Sequence, residues 1–229
     1  MQKFTREDKQ TFLSFFSLCR GLPRESINDI VEISDFVVFP ENMFISTTGD
    51  GYNDILFVIS GLLRISMNSS SGRRVTVLLV KSGECYNLLT PYLDYPRNLE
   101  AQALEPTRCL RVLAKDFTPF VEKHPAIVPN LLRIVGSAFD SANSRILEFM
   151  EKRVEARIKR VLSTLHGKFT SPLHFTSVQI SELACTTPES TLRAMGHLRD
   201  MGIIETRPGQ IWVLNPSALM DLEFGDLII

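Results

Sequence analysis

The sequence predicts an α+β fold built from three consecutive parts. Short stretches rich in Val, Ile, Leu and Phe, separated by glycines, fill residues 35–114 and are typical of an antiparallel β-roll. A heptad spacing of apolar residues over 132–149 predicts one long helix. From residue 153 the order is helix, short turn, capped helix and hairpin, which predicts a winged helix-turn-helix.

The bulk properties allow two domains and favour no extreme class. The chain has 229 residues and a net charge of −1, which excludes a protein that is basic throughout. Residues 145–212 nevertheless hold ten basic and seven acidic side chains, a weak indication of a polyanionic partner. The N-terminus has no signal-peptide profile, and no apolar run approaches the roughly 18 residues of a membrane span. We expect a cytoplasmic protein without a membrane partner.

The first predicted domain, residues 1–123, holds N-terminal helices and the β-roll. Residues 5–33 read as helical with a break at Leu22-Pro23. The roll has a cupin-like outline, with an interior that side chains or a ligand can fill. A cupin-like metal enzyme needs several His and carboxylate ligands on neighbouring strands, and residues 35–115 contain no His. We therefore do not expect an enzyme or a catalytic residue.

The cysteines and histidines form no recognisable metal site. No cysteines pair as C-x-x-C, and no His stands at metal-finger spacing, so we expect free thiols and no zinc. The cysteines are Cys19, Cys85, Cys109 and Cys185, and the dispersed histidines are His124, His166, His174 and His197.

The second predicted part, residues 124–151, is a dimerisation helix and hinge. Its length exceeds 20 residues, and at about 1.5 Å per residue it would overhang a barrel of this size. One interpretation is a helix packed on its own barrel; the length favours a parallel two-chain coiled coil and hence a homodimer. The predicted seam consists of Leu132, Val135, Phe139, Ala142, Ile146 and Phe149.

The third predicted domain, residues 152–229, contains the helix-turn-helix. Thr176 and Gln179 form a capping box that opens a short helix. Thr187 can cap the next helix, Pro188 suits its first turn, and Gly202 is a typical terminator. Two strands around residues 207–210 complete a hairpin.

The second helix, 187–201, has two distinct faces. One face is expected in the core and holds Thr191, Ala194, Met195, Leu198 and Met201; the other holds Glu189, Ser190, Arg193, His197 and Asp200. A solvated Glu–Arg pair, worth ~0.3–0.5 kcal/mol, is the alternative to a DNA-reading face. At this place in a helix-turn-helix, Arg193 suits guanine, and Glu189 suits a cytosine amine or orients Arg193. The predicted DNA contacts are Thr187, Glu189, Ser190, Arg193, Thr176, Ser177, Gln179, Lys168 and Arg207.

These ordered features resemble the Crp/Fnr superfamily of bacterial transcription regulators over about residues 15–220. The resemblance depends on the roll, on KHP at Lys123–Pro125, on EARIKRVL from Glu155 and on TTPESTLRAMGHLRDMGII over 186–204. It implies a sensor roll of the cyclic-nucleotide-binding-domain type, a dimer helix and a domain that binds double-stranded DNA. RNA polymerase and a small-molecule effector are further implied partners.

Within this resemblance, the Glu and Arg that read DNA match Glu189 and Arg193. Pro188 stands where some members have a basic contact. In cyclic-AMP receptors a Gly-Glu pair holds the ribose and an Arg-Ser pair the phosphate; these match Asn87-Leu88 and Arg97-Asn98. Because Leu88 cannot accept a hydrogen bond from a ribose hydroxyl, we do not expect cyclic AMP in the usual manner.

Other effector types of the family match no better. Members with an iron–sulfur cluster use clustered N-terminal cysteines, whereas only Cys19 lies in that region. Haem-binding members use a Cys and a His where this chain has Asn87 and Leu89. We expect a small, partly apolar anion, favoured over a redox signal at Cys85, with a cyclic-nucleotide-responsive regulator as the alternative. The predicted pocket between roll and helix is edged by Cys85, Tyr86, Asn87, Arg97, Asn98 and Asn143.

Overall fold

The computed structural model describes residues 4–151 and 153–219. The chain divides into two compact units. One consists of Met1–Met67 with Leu78–Gly136, and the other of Asn68–Val77 with Ser137–Ile229. None of the helices within the described ranges is long and apolar enough to cross a membrane.

The first unit begins with the two predicted helices. Helix α1 (Arg6–Phe15) starts at a capping box formed by Thr5 and Asp8. A short 3₁₀ turn and Pro23 separate it from α2 (Arg24–Glu32), because proline cannot continue the preceding helix but suits the start of the next. The break at Leu22-Pro23 is therefore confirmed.

Eight strands form the roll, arranged in two antiparallel four-stranded sheets, β1-β8-β3-β6 and β2-β7-β4-β5. In the first sheet, Leu110 lies opposite both Phe36 and Phe57. Gly61 begins the tight β3–β4 turn at φ 99°, and a Cβ there would lie 2.6 Å from the Cα of Thr107, so only glycine fits. The strands are β1 (Ser34–Phe39), β2 (Phe44–Ser46), β3 (Ile55–Ser60), β4 (Leu62–Asn68), β5 (Arg74–Lys81), β6 (Cys85–Tyr86), β7 (Glu100–Ala103) and β8 (Thr107–Val112).

The core of this unit joins the helices to the roll. Phe16 and Phe57 meet edge to face at 5.2 Å between ring centroids, and Phe117 of α3 (Ala114–Lys123) is fully buried with them. Leu88 is 6% exposed and belongs to the same cluster. Apolar packing therefore occupies the position that the cyclic-AMP receptors give to an acidic ribose ligand.

A buried histidine fastens α2 to the end of α3. His124 Nδ1 lies 3.0 Å from Ser26 Oγ, and its Nε2 lies 2.7 Å from Asp29 Oδ2. Lys123 Nζ also donates to Asp29 Oδ2, at 2.6 Å. The hydrogen bonds from Lys123 and His124 hold the pKa of Asp29 below its ordinary value.

The second unit contains the predicted winged helix-turn-helix. Helix α4 (Val128–Glu151) enters it at Ser137. It continues with α5 (Val154–Lys168), α6 (Ser177–Leu183), α7 (Pro188–Asp200), and the wing strands β9 (Ile204–Arg207) and β10 (Gln210–Val213). The helical spacing of α5 predicts that Val154, Ile158, Val161, Leu162 and Leu165 point inward. The last four are buried, with exposures of 2% or less, whereas Val154 is half-buried.

Two buried charged residues of α4 hold this unit together. Arg145 donates hydrogen bonds to the carbonyls of Thr76 (2.9 Å), Val77 (3.0 Å) and Leu183 (3.0 Å). Glu148 forms an ion pair with Arg160 of α5, and these two side chains are 3% and 6% exposed. The C-terminal half of α4 is thereby fixed to β5, α5 and α6 through groups that water does not reach.

Candidate DNA interface and effector cavity

Caps fix both helices of the helix-turn-helix. Gln179 N donates to Thr176 Oγ1 at 3.2 Å, and Thr176 N donates to Gln179 Oε1 at 2.8 Å, so the predicted capping box is present. Thr187 accepts from Ser190 N at 3.2 Å and caps α7, with Pro188 in its first turn. Cys185 adopts φ 49° in the turn between them.

The two faces of α7 separate as the sequence predicted, with one exception. Thr191, Ala194, Met195 and Leu198 are at most 7% exposed, and Gly202 takes the expected positive φ of 69°. Met201 was expected in the core, but this prediction is wrong, since the residue is 45% exposed. It is the C-cap residue, beyond the last helical position at Asp200, and therefore leaves the buried stripe.

The opposite face presents an acid and a base in adjacent turns. Glu189 and Arg193 are exposed, and Ser190 is half-buried beside them. The backbone N–H of Glu189 and the hydroxyl of Thr187 lower the pKa of the Glu189 carboxyl, so it is ionised at the positive end of the helix. Within the described residues Arg193 has no ion-pair partner, so its guanidinium is available to a ligand.

An open cleft of about 410 Å³ lies between the start of α5 and α7. His197, predicted on the polar face, is held there by Glu155, with 2.9 Å from Nδ1 to Oε2. Glu155 has its pKa lowered by this hydrogen bond and by Lys159. Neither Arg153 nor Glu155 was predicted at the site, although Glu155 begins the EARIKRVL segment and Arg153 lies two residues before it. The lining residues are Arg153, Val154, Glu155, Ser190, Arg193, Ala194 and His197.

The remaining predicted DNA contacts differ in their burial and in their hydrogen bonds. The side chains of Thr176 and Gln179 each accept a hydrogen bond from the backbone N–H of the other residue. This leaves the N–H groups of the Gln179 side-chain amide for a partner. Ser177 and Lys168 are half-buried, at the start of α6 and the end of α5. Arg207 in β9 donates to Glu205 at 3.1 Å and lies 4.8 Å from the ring centroid of Trp212.

The first unit contains an open cavity of about 390 Å³ between the loop 46–53 and the segment 86–99. Tyr86, Asn87 and Arg97 of the predicted pocket line it, together with Tyr52 and Asp50. Arg97 is half-buried and has no ion-pair partner among the described residues. The cavity therefore offers a cation beside tyrosine rings.

Asn87 has a structural function as well. It adopts φ 72°, the left-handed conformation that glycine and asparagine tolerate best, and so fits where the resembled family has glycine. Its amide donates to the carbonyls of Tyr52 (3.3 Å) and Asp54 (3.1 Å), and its Oδ1 accepts from Thr90. Asn87 therefore forms part of the cavity wall, and its side-chain amide already takes part in hydrogen bonds within the protein.

Three predicted pocket residues do not line this cavity. Cys85 packs against the apolar core, and burial raises the pKa of its thiol well above the ordinary value. Asn98 is exposed and accepts from Thr48 Oγ1 at 3.3 Å. Asn143 is an exposed residue of α4 in the second unit. Among the residues that the structure describes, no group of three or more metal-ligating side chains occurs.

The predicted seam on α4 is largely exposed in the single chain. Leu132, Phe139 and Ile146 are 61%, 65% and 56% exposed, and Ala142 is exposed as well. Val135 packs partly against the core of the first unit. Phe149 is half-buried, 5.6 Å from the guanidinium carbon of Arg157. A stripe of exposed apolar residues along one side of a helix is typical of an interface.

Comparisons with known proteins agree with this arrangement. The cyclic nucleotide-binding domain family matches residues 36–124, and the Crp-like helix-turn-helix domain family matches residues 155–222. The cyclic AMP receptor protein of Thermus thermophilus is 24% identical over 211 residues, covering 91% of this chain and 97% of its own. The global nitrogen regulator of Synechocystis is 22% identical, covering 87% and 91%.

Solved structures share the fold. The c-di-GMP responsive global regulator CLP of Xanthomonas campestris superimposes with a TM-score of 0.74 at 15% identity, over 83% of this chain and 99% of its own. The first family match covers the roll and the second covers the helix-turn-helix, in the order found in Crp/Fnr regulators. The chain is therefore a transcription regulator of the Crp/Fnr family.

Proposed function

We propose that the protein is a homodimer that binds an inverted-repeat DNA site through the helix 187–201 under control of a small effector. The observation that carries this proposal is the outer face of α7. Thr187 caps this helix, and its buried stripe packs in the core. Glu189 and Arg193 are exposed on the other face, where they can read bases and have no competing role inside the unit. A DNA major groove is the partner that such a helix fits.

The proposed contacts divide into base reading and phosphate binding. Arg193 is the candidate for a bidentate contact to guanine, with Glu189 accepting from a cytosine amine or orienting Arg193. Thr187 and Ser190 at the helix start suit phosphate or base edges. The proposed phosphate contacts, which carry no sequence information, are Lys168 and Arg207. Thr176, Ser177 and Gln179 are further proposed DNA contacts.

The exposed stripe on α4 supports the proposed homodimer. Leu132, Phe139, Ala142 and Ile146 follow the heptad spacing, and a second copy of the same helix would cover them. A two-fold dimer presents its two recognition helices about one helical turn apart. The proposed operator therefore has half-sites roughly 10 bp apart between centres.

The proposed effector is a small, partly apolar anion in the cavity of the roll. Arg97 supplies a cation, Tyr86 and Tyr52 supply rings, and Leu88 removes the acceptor that a ribose needs. A redox signal at Cys85 is less favoured because its raised pKa keeps the thiol protonated. Asn98 is exposed outside this cavity and Asn143 belongs to the second unit, so neither is part of the proposed site.

A cyclic nucleotide is the competing effector. It is favoured by the matched domain family and by the name of the Thermus relative. Titration calorimetry with cyclic AMP distinguishes the two: we expect no saturable heat below millimolar concentration. A micromolar signal that disappears in Arg97→Ala would restore the nucleotide. We further propose a cytoplasmic location and RNA polymerase as a partner, as for a regulator that acts on chromosomal DNA.

Selection of DNA from a random pool by the full chain tests the central proposal. We expect an inverted repeat, and Arg193→Ala should weaken it by ~1–3 kcal/mol and relax one base pair in each half-site. Arg24→Ala, an exposed arginine of α2, is the matched control for loss of charge and should leave both properties unchanged. If Arg193→Ala keeps affinity and sequence preference, the recognition helix is assigned wrongly.

A further inference from the structure

An exposed leucine lies on the DNA-facing side of α7 without a role inside the protein. Leu192 is 59% exposed, whereas the buried stripe of the same helix consists of Thr191, Ala194, Met195 and Leu198. It follows Thr191, which is fully buried, and precedes Arg193, which is exposed. Single exposed leucines are ordinary on protein surfaces, so its position on the helix decides its meaning.

The helix geometry places Leu192 beside the base-reading pair. At about 100° per residue, Leu192 points roughly 60° from Glu189 and roughly 100° from Arg193, on the side opposite Ser190. Side chains of a helix lean toward its N-terminus. Leu192 therefore covers the surface over the first turn of α7, the end of a recognition helix that reaches base edges.

The next residue on this face is a glycine that the fold does not need. A Cβ at Gly196 would meet only Arg199 Nη2, at 3.9 Å, so packing within the unit leaves room for a side chain. Glycine inside a helix costs about 0.5–1 kcal/mol relative to alanine. A bare helix surface one turn beyond Leu192 allows a partner to approach the backbone closely, which brings Leu192 nearer to that partner.

We propose that Leu192 is a specificity-determining residue that reads the C5-methyl group of a thymine in each half-site. The inference rests on the proposed DNA-binding function and adds one base to the site that Glu189 and Arg193 read. A leucine side chain has no donor or acceptor, so it favours the one apolar group that base pairs expose in the major groove. It disfavours a base whose polar edge it would cover without a hydrogen bond.

The test uses the duplex selected by the full-length protein, with each thymine replaced in turn by uracil, which lacks only the methyl group. We expect one thymine per half-site, within two base pairs of the position that Arg193→Ala relaxes, at which uracil weakens binding about fourfold. Replacing it in both half-sites should weaken binding about fifteenfold. Cytosine at the same position should bind better once it is methylated at C5.

Leu192→Ala should bind the thymine and uracil duplexes equally, because its short side chain does not reach the methyl group. Met201→Ala is the matched control, since Met201 is also exposed and apolar but lies at the C-cap, just beyond the last helical position of α7. It should keep the preference for thymine. Alanine is a better helix former than leucine or methionine, so neither variant threatens the fold.

Two results would overturn the inference and remain distinguishable. If binding is selective and depends on Arg193 but no uracil has an effect, or the effect persists in Leu192→Ala, then Leu192 does not read a methyl group and the proposed function stands. If Arg193→Ala changes neither affinity nor preference, the recognition helix itself is wrong and both proposals fail.

Discussion

The buried ion pair between Glu148 and Arg160 gives a sharp test of how the second unit is held together. Its side chains are 3% and 6% exposed, so neither charge is solvated once the other is lost. Glu148→Gln keeps the shape of the side chain and removes its charge. Breaking a buried pair in this way costs about 3–5 kcal/mol, because Arg160 stays buried after it has lost the carboxylate of Glu148.

The chain contains a convenient probe for this loss. Trp212 is its one tryptophan and lies in the wing, so tryptophan fluorescence reports the unfolding of the second unit. With a urea dependence of about 2 kcal/mol per molar, Glu148→Gln should lower the unfolding midpoint of this unit by roughly 2 M. Far-ultraviolet circular dichroism, to which the secondary structure of both units contributes, provides an independent signal for the whole chain.

Two controls identify the cause. Lys159→Ala removes a partner of the more exposed Glu155–Lys159 pair on the same helix, 3.5 Å apart, and should cost less than about 1 kcal/mol. Replacing both Glu148 and Arg160 by leucine should restore stability to within about 1 kcal/mol of the original chain. If Glu148→Gln costs no more than Lys159→Ala, the pair is not desolvated and the reasoning fails.

Three further changes test other parts of the molecule. Phe139→Glu places a charge on the apolar stripe and should convert the proposed dimer to monomer in sedimentation; an unchanged dimer would place the interface elsewhere. Asp29, whose pKa Lys123 and His124 lower, stabilises the first unit fully above its unfolded pKa of about 4, and this contribution is lost as the pH falls through the lower folded value. The stability difference between the original chain and Asp29→Asn, from urea titrations, should therefore be constant near neutral pH and shrink in acid; a difference that grows in acid would contradict the assignment. Asn87→Val should destabilise this unit more than Asn87→Gly, by about 1–2 kcal/mol, because a β-branched residue is strained at φ 72°; equal losses would refute that reading.

Local rules of capping and periodicity were sufficient to predict the helix-turn-helix. Thr187 caps α7, Pro188 opens it and Gly202 ends it, because each of these depends on groups only a few residues apart. The prediction for Met201 was wrong for the same reason, because the apolar spacing in the sequence continues beyond Asp200, where the helix ends. The exposure of Leu192 could have been predicted from the same repeat.

Contacts between distant segments could not be predicted in this way. Arg145 lies off the heptad seam, and it is only 7% exposed and donates a hydrogen bond to a carbonyl 68 residues earlier in the chain. Periodicity does not distinguish a charge that faces water from one whose partner arrives from another element. The cavity of the first unit is a similar case, since Tyr52 and Asp50 line it from a loop for which the sequence predicted no role.

The C-terminal half of α4 connects the proposed dimer interface to the DNA-binding unit through its two opposite faces. Phe139, Ala142 and Ile146 are exposed on one face, whereas Arg145 and Glu148 are buried on the other. A helix is stiff over these three turns, so it cannot rotate to repack the exposed face without also moving the buried one. The buried groups bond to the helix-turn-helix through Leu183 at the end of α6 and through Arg160 in α5. An effector that favours one packing of two α4 helices would for this reason change the placement of both recognition helices, provided that it binds the two packings with different affinity.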